Sequence, residues 1–214
     1  MKKQLVLCLA LALAPIAASA GELSYSYIEA GYAQLNQELP DVDLGGGMVA
    51  EIDDIEASGF QVSGSVEVGP SFYLFGGYKA GNDDVTVNVP GFGSGSADID
   101  LTQFNAGVGY HYGLSERADL ITELSYIGTE ADADEEDANA DADDARIAVG
   151  VRGLMTDSFE GWIKGNYTDG DAYDGEFSAT VGAQFKFNQT WGIVGEAEFG
   201  DSASQFMVGV RASF

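Results

Sequence analysis

The chain has 214 residues, of which 35 are Asp or Glu and nine are Lys or Arg, so its formal net charge is −26. Acidity of this degree excludes nucleic acid as a partner, and it excludes docking on anionic lipid through a basic patch. The single cysteine, Cys8, lies near the N-terminus. The rest of the chain therefore contains no disulfide, no thiolate nucleophile and no thiolate metal site.

The first predicted element is an export signal. The lysines Lys2-Lys3 precede an apolar stretch from Leu5 to Ile16, and Ala18-Ser19-Ala20 fits the small-x-small cleavage pattern. The apolar stretch is too short for a retained membrane helix. We therefore expect a cleaved signal peptide over residues 1–20 and a mature domain over residues 21–214. Loss of the two lysines gives the mature domain a net charge of 7 − 35 = −28.

Ten segments that alternate apolar and polar residues follow the signal, as expected for β-strands with unlike faces. In chain order they cover about residues 25–35, 60–68, 72–79, 103–112, 120–126, 146–155, 159–167, 177–187, 191–199 and 205–214. Four short turns, centred on Pro70, Ser115, Asp157 and Gln189, alternate with other connections, several of them long. This pattern predicts an all-β fold, a transmembrane antiparallel up-and-down barrel of ten strands with both termini in the periplasm. Eight strands are the alternative if the first and ninth are merged or misplaced.

The last strand carries a further signal. Its apolar residues share one face and end on an aromatic ring: Phe206, Val208, Val210, Ala212 and Phe214. The strand resembles the last strand of bacterial outer-membrane barrels, in which the assembly machinery reads a C-terminal Phe as an insertion signal. The resemblance implies that Phe214 is the assembly signal and that the barrel-assembly machinery is a partner. It also implies a barrel surrounded by outer-membrane lipid and lipopolysaccharide.

The polar faces of the strands are predicted to line the lumen. The charged residues expected to form a network there are Glu29, Lys79, Glu123, Arg146, Arg152, Glu160, Lys164, Lys186, Glu196 and Arg211. Because lone buried charges are costly, we expect these residues to pair across the lumen. A loosely hydrated channel lining is the alternative. Four inward residues are predicted to fill part of a narrow lumen: Tyr73, Phe75, Ile121 and Trp162.

The sequence predicts neither an enzyme nor a cofactor site. The only histidine, His111, falls at the periplasmic end of the fourth strand, away from the extracellular rim where hydrolases of the omptin type carry theirs. We expect His111 to be a hydrogen-bonding residue of the lumen, and an outer-membrane hydrolase is a remote alternative.

Acidic connections are predicted to be solvated loops rather than metal sites. The run from Glu130 to Asp144 has neither the glycine nor the spacing of an EF-hand, so we expect it to repel itself and to collect divalent ions only loosely. The same expectation holds for the connection that contains Asp41 to Glu56. The segment from Gly91 to Ser96 is predicted to be a flexible tip.

Three short segments carry a family resemblance: Leu23–Tyr32, Phe72–Tyr78 and Val149–Gly153. They resemble small proteobacterial outer-membrane proteins of the OmpA and OmpX kind, and most specifically the Ax family of xanthomonads. The resemblance implies a protein of the outer membrane and its vesicles, linked to surface behaviour such as biofilm formation, with no catalytic residues.

We therefore expect a monomeric, non-enzymatic barrel that presents acidic extracellular loops and contributes to adhesion or biofilm formation. A narrow channel that prefers cations is the alternative.

Overall fold

The computed structural model describes residues 23–37, 42–45, 48–52, 54–89, 93–133, 140–201 and 203–214. Its strands are β1 (Tyr27–Gln37), β2 (Val42–Gly45), β3 (Met48–Ile52), β4 (Ile55–Glu67), β5 (Phe72–Val89), β6 (Gly93–Ser115), β7 (Ala118–Ala133), β8 (Ala140–Leu154), β9 (Phe159–Gly170), β10 (Glu176–Lys186), β11 (Trp191–Gly200) and β12 (Ala203–Ser213). Within these ranges there is no helix that is long and apolar enough to cross a membrane.

Ten of these strands close into an antiparallel barrel. Each pairs with its neighbour along the chain from β4 to β12, and β1 lies between β4 and β12. The ladder that closes the barrel runs from Tyr27 opposite Ser213 to Gln37 opposite Ala203. The two remaining strands, β2 and β3, form a short hairpin in the first long connection, and β3 pairs with the far end of β5. The predicted ten-stranded barrel is confirmed, and the alternative of eight strands is wrong.

The two faces of the barrel invert the usual arrangement of a soluble protein. On β7, Leu124 is 57% exposed on the outer face, whereas its inward neighbours Ile121 and Ser125 are 4% and 9% exposed. Exposed apolar side chains cover the outside of the described barrel, which is stable only where that surface meets lipid. Tilted aromatic pairs such as Phe104–Tyr126 and Phe72–Tyr110 lie towards the outer and periplasmic ends respectively, where interfacial girdles are expected.

Several strands are longer than the alternation of the sequence predicts. β7 continues to Ala133 and β8 begins at Ala140, so much of the Glu130–Asp144 run is a paired hairpin. The prediction of a solvated loop is wrong for these strand residues, whereas residues 134–139 lie outside the described part. Glu130 even faces Asp141 across the ladder, a like-charge pair that costs stability. Both side chains are exposed, so water screens their repulsion and backbone hydrogen bonding continues past them.

The other two long connections behave similarly. Val42–Gly45 and Met48–Ile52 are strands, so the Asp41–Glu56 connection is not simply a loop. Gly93 to Ser96 belong to β6 and pair with the end of β5, which makes the predicted flexible tip wrong for these four residues. Residues 90–92 lie outside the described part. The described strands therefore project beyond the apolar band, on the side opposite Leu23 and Phe214, and we call this polar extension the collar.

Because the last strand closes the barrel, a residue in its lipid-facing part should not tolerate proline. Val208 pairs with Tyr32 on one side and with Gly195 on the other, in the lipid-facing part of the wall. Val208→Pro removes a backbone donor that lipid cannot replace, so we expect the variant to lose the difference in electrophoretic migration between unboiled and boiled samples. Val208→Ala, the control, should keep that difference and fractionate with the outer membrane. A normal heat shift in Val208→Pro would contradict a continuous ladder at this position.

Candidate functional site

The periplasmic end of the lumen is closed by a cluster of apolar and aromatic side chains. This floor cluster consists of Leu23, Tyr25, Tyr73, Phe75 and Ile121. Tyr25 is 2% exposed and lies at its centre, although it precedes the first strand. The short turns, Leu23 and the C-terminal Phe214 lie at this end, which is the periplasmic end in barrels of this architecture.

Contacts on every side hold Tyr25 in place. Its ring stacks on His111 and Tyr73 with centroid distances of 4.0 and 4.8 Å, and its hydroxyl donates to Asp119 at 2.9 Å. The guanidinium carbon of Arg152 lies 4.7 Å from the ring centroid. Such a cation–π contact adds to the apolar packing.

The backbone next to Tyr25 is bound as well. Arg152 donates to the carbonyl oxygen of Ser24 at 2.9 Å, and the Ser24 hydroxyl donates to the carbonyl oxygen of Phe214 at 2.7 Å. The Phe214 amide donates in turn to the carbonyl oxygen of Ser26 at 2.9 Å. Residues 23–26 are therefore tied across the periplasmic mouth by both the wall and the C-terminus.

Buried ion pairs surround the floor cluster. Glu160 is fully buried between two cations, with Arg152 Nη2 at 2.5 Å and Lys186 Nζ at 3.2 Å. Glu29 pairs with Arg211 at 2.7 Å and accepts a hydrogen bond from Ser63 at 2.5 Å. Arg211 also lies over the Tyr27 ring, 4.1 Å from its centroid.

A second set of polar contacts lies further from the periplasm. Lys164 pairs with Glu123 at 3.2 Å, and the Tyr73 hydroxyl donates to the same carboxylate at 2.8 Å. Arg146 pairs with Glu198 at 3.0 Å.

Two further predicted residues bind neutral partners. Glu196 accepts a hydrogen bond from the Trp162 indole at 2.7 Å, and Lys79 donates to Gln205.

All ten residues of the predicted network face the lumen, and most of them bind one another. The exceptions are Arg146, whose partner Glu198 is on the polar face but was not among the ten, and Lys79 and Glu196, which bind uncharged groups. Sequence reasoning also missed Tyr25 and Asp119. Glu198 has the same strand parity as Glu196 and could have been included. Tyr25 was predicted as the first residue of a strand, whereas β1 begins only at Tyr27 and Tyr25 lies in the lumen mouth before it.

His111 lies against the floor cluster, stacked on the Tyr25 ring. Its Nδ1 lies 3.3 Å from Asp119 Oδ2, and its buried Nε2 has no hydrogen-bond partner. The Tyr25 ring covers one face of the imidazole, with a centroid distance of 4.0 Å. Among the described residues, no group of three or more His, Cys, Asp or Glu side chains is arranged to hold a metal ion.

The outer half of the lumen is not filled. A cavity of about 180 Å³, the outer cup, lies above the floor cluster and is lined by polar side chains that include Gln61, Lys79, Asn105, Glu196 and Gln205. The predicted filling of the lumen by Tyr73, Phe75, Ile121 and Trp162 therefore describes its inner half.

Two carboxylates at the periplasmic end, Glu160 and Asp157, should differ in how much their removal lowers the free energy of unfolding. Glu160→Gln leaves Arg152 and Lys186 without a counterion in an enclosed space, so we expect a loss of about 3–5 kcal/mol in the free energy of unfolding. Asp157→Asn breaks an exposed pair with Arg117 and should cost at most about 1 kcal/mol. Urea midpoints of the refolded variants provide the measurement, and equal midpoints would mean that water fully screens the Glu160 site.

Comparisons with known proteins agree with this architecture. The family model for the outer membrane protein beta-barrel domain matches residues 6–214. Among solved structures, OprG from Pseudomonas aeruginosa is 13% identical with a TM-score of 0.52, covering 91% of this chain and 98% of that one. The β domain of the Bordetella autotransporter BrkA is 13% identical with a TM-score of 0.54, covering 89% and 100%.

The translocator domain of the autotransporter NalP from Neisseria meningitidis is 10% identical with a TM-score of 0.50, covering 100% of this chain and 95% of that one. At these identities the likeness concerns the fold alone. A comparison with curated protein sequences finds no match. The more specific resemblance to the Ax family stays a prediction. A family model that matches nearly the whole sequence, together with a closed barrel, shows that this chain belongs to the outer membrane β-barrel domain family and lies in the bacterial outer membrane.

Proposed function

We propose that this protein is a non-conducting, non-enzymatic barrel that contributes to surface properties such as adhesion or biofilm formation through its acidic external collar. The observation that carries the proposal is the closed periplasmic end. Tyr25 and Tyr73 are 2% and 4% exposed at the centre of the floor cluster, and Glu160 beside them is fully buried. A solute that entered from outside would meet a packed floor rather than a passage.

The distribution of charge supports a role at the surface. The outer segments 38–58, 80–102, 128–145, 169–177 and 200–204 contain many carboxylates and no Lys, Arg or His. In the lumen, by contrast, cations and glutamates occur together. The negative charge of the mature domain is therefore concentrated outside the membrane, where it repels other anionic surfaces over about one Debye length, ~8 Å at physiological salt.

The same electrostatics favours loose binding of divalent cations at the collar. Because the collar segments contain no Lys, Arg or His, their side chains cannot form ion pairs with the phosphate groups of lipopolysaccharide. Loosely held divalent ions between carboxylates and phosphates would relieve that repulsion. We accordingly propose outer-membrane lipid, lipopolysaccharide and divalent ions as partners of the collar. The barrel-assembly machinery, acting on Phe214, is proposed as the partner during insertion.

A narrow channel is the second candidate. Acidic segments at the outer mouth and the polar lining of the outer cup would favour cations. Conduction would require the 23–26 segment to leave the mouth, which breaks the hydrogen bonds of Ser24 and Ser26 with Phe214.

Single-channel recording in planar bilayers distinguishes the two functions. We expect no reproducible conductance steps from the wild-type barrel, because Tyr25 fills the periplasmic mouth. Tyr25→Ala removes the central ring and should produce steps that favour cations. Tyr32→Ala, which removes an exposed ring on the lipid face, is the control and should stay silent. Stable steps from the wild-type protein would overturn the non-conducting proposal.

The role of the collar is tested by neutralising charge without deleting strands. One variant converts a set of acids to their amides: Glu130, Asp132, Asp134, Glu135, Glu136, Asp137 and Asp141. Asp144 is kept because it is buried and accepts hydrogen bonds from the amides of Ala172 and Tyr173. We expect an unchanged heat shift, a less negative electrophoretic mobility of cells, and altered autoaggregation or biofilm formation.

The matched control neutralises acids at the other end of the barrel. Glu116→Gln with Asp157→Asn changes two periplasmic turns, and cells carrying it should behave as wild type. If the collar variant inserts normally and every surface property stays at the wild-type level, the collar is not the functional element.

A further inference from the structure

We infer that the outer cup binds a neutral, hydroxyl-rich molecule about the size of one sugar ring, such as the end of a surface glycan. This inference goes beyond the proposed function, because it needs neither the charge of the collar nor the absence of conduction. It rests on the shape of the cup, on its unpaired polar groups and on its balance of charge.

The shape follows from small inward residues on one wall. On β1, β4 and β5 the wall of the cup is formed by Ala33, Ala57, Gly59 and Gly77, whereas longer side chains project from the opposite wall. A space of this kind needs only about 10–15 Å³ to hold one water. The cavity of about 180 Å³ therefore admits a cluster of waters or one small polar molecule.

Amide side chains in the cup have unused hydrogen-bonding capacity. Lys79 lies in register between Gln61 on β4 and Gln103 on β6, and Asn105 lies two residues further along β6. Within the described part of the chain, the side chains of Gln61 and Asn105 make no hydrogen bond to another residue. Since each amide offers two donors and an acceptor, this row can both donate to and accept from hydroxyl groups.

The balance of charge indicates a neutral ligand. The cup's ion pairs join Lys164 to Glu123, Arg146 to Glu198 and Arg211 to Glu29. Among the described residues of the cup, Lys79 and Glu196 have no opposite charge within 4.0 Å, and their own charges are opposite in sign. The four cations and four glutamates that line the cup sum to zero, so the lining as a whole favours neither an anion nor a cation, and an anion is also repelled by the collar.

The base of the cup offers an apolar surface. Phe75, a member of the floor cluster, lines it, whereas the Arg211 guanidinium covers the Tyr27 ring beside it. Small-molecule sites typically combine aromatic surface with a few polar groups that fix orientation. A sugar ring, which has apolar C–H faces and a rim of hydroxyls, matches this combination. Because the floor cluster closes the inner end, the cup retains such a group rather than passing it on.

Saturation-transfer NMR on the refolded barrel tests the inference, since it detects ligands of millimolar affinity. Dodecylphosphocholine micelles are suitable because their head group contains no sugar. The probes are glucose, galactose, mannose and N-acetylglucosamine, with glucuronate and glucosamine as charged counterparts. We expect at least one neutral sugar to bind, and to bind more tightly than the charged ones.

Variants locate the binding. Gln61→Leu with Asn105→Leu should weaken it at least about tenfold, as expected for the loss of two hydrogen bonds. Ala33→Phe, which fills the cup from its wall, should abolish it. Gln189→Leu in an exposed periplasmic turn is the control. The heat shift verifies that each variant is folded.

Three results would overturn the inference. The first is that none of the four neutral sugars binds. The second is that binding survives both Gln61→Leu/Asn105→Leu and Ala33→Phe, which would put the site elsewhere. The third is that only a charged sugar binds, which would mean that the cup selects charge. Conductance is not part of this readout, so failure here leaves the non-conducting proposal intact.

Discussion

The requirement that lipid leaves no backbone group unpaired determines the rest of this structure. An open edge inside the hydrocarbon would cost several kcal/mol for each unpaired group, so β1 must pair with β12 along its length. That seam brings the start of β1 beside the C-terminal Phe214 at the periplasmic face. It therefore positions residues 23–26 at the mouth of the lumen, where Ser24 and Ser26 bond to Phe214 and Tyr25 enters the floor cluster. The position of residues 23–26 in the mouth is therefore a consequence of closure.

Closure with ten strands also dictates where charge can lie. A lumen of this width brings inward side chains from opposite walls into contact, so each cation near the floor needs a carboxylate. Arg152 and Lys186 share Glu160, and Arg211 pairs with Glu29. The surplus of acids has no place inside and lies on strand extensions beyond the apolar band. Paired backbones tolerate the repulsion between Glu130 and Asp141 there because water screens the charges.

The strands and the direction of their side chains could be predicted because both depend on a period of two. The alternation predicted the outward face of the last strand, from Phe206 to Phe214, and the inward direction of cations such as Lys164 and Arg211. The partners could not be predicted, because Arg211 and Glu29 are 182 residues apart and lie opposite each other only in the register of the β1–β12 seam, which alternation does not fix. The extensions were missed because acid-rich composition resembles a loop, although a hydrogen-bonded ladder in water needs no apolar face. Tyr25 was included in the first predicted strand, but β1 begins at Tyr27, and the packing of Tyr25 on His111 and Tyr73 depends on tertiary contacts that alternation does not encode.

The two halves of the lumen differ in the surroundings of the amide groups that make no hydrogen bond to another residue. In the inner half, the Gln184 side chain is fully buried and both of its amide atoms lack a partner, which is the environment of an ordered water held between polar groups. In the outer cup, Gln61 and Asn105 are accessible and could have been replaced by apolar or larger residues without disturbing an ion pair. Polar groups that contribute nothing to the fold, beside an empty space bounded by small residues, depart from the close packing of the inner half. Departures of this kind mark binding sites more often than stabilising ones, because a site must keep its hydrogen bonds for a ligand. The inner half therefore contains the closely packed ion pairs, and the outer half contains the polar groups to which we assign a ligand.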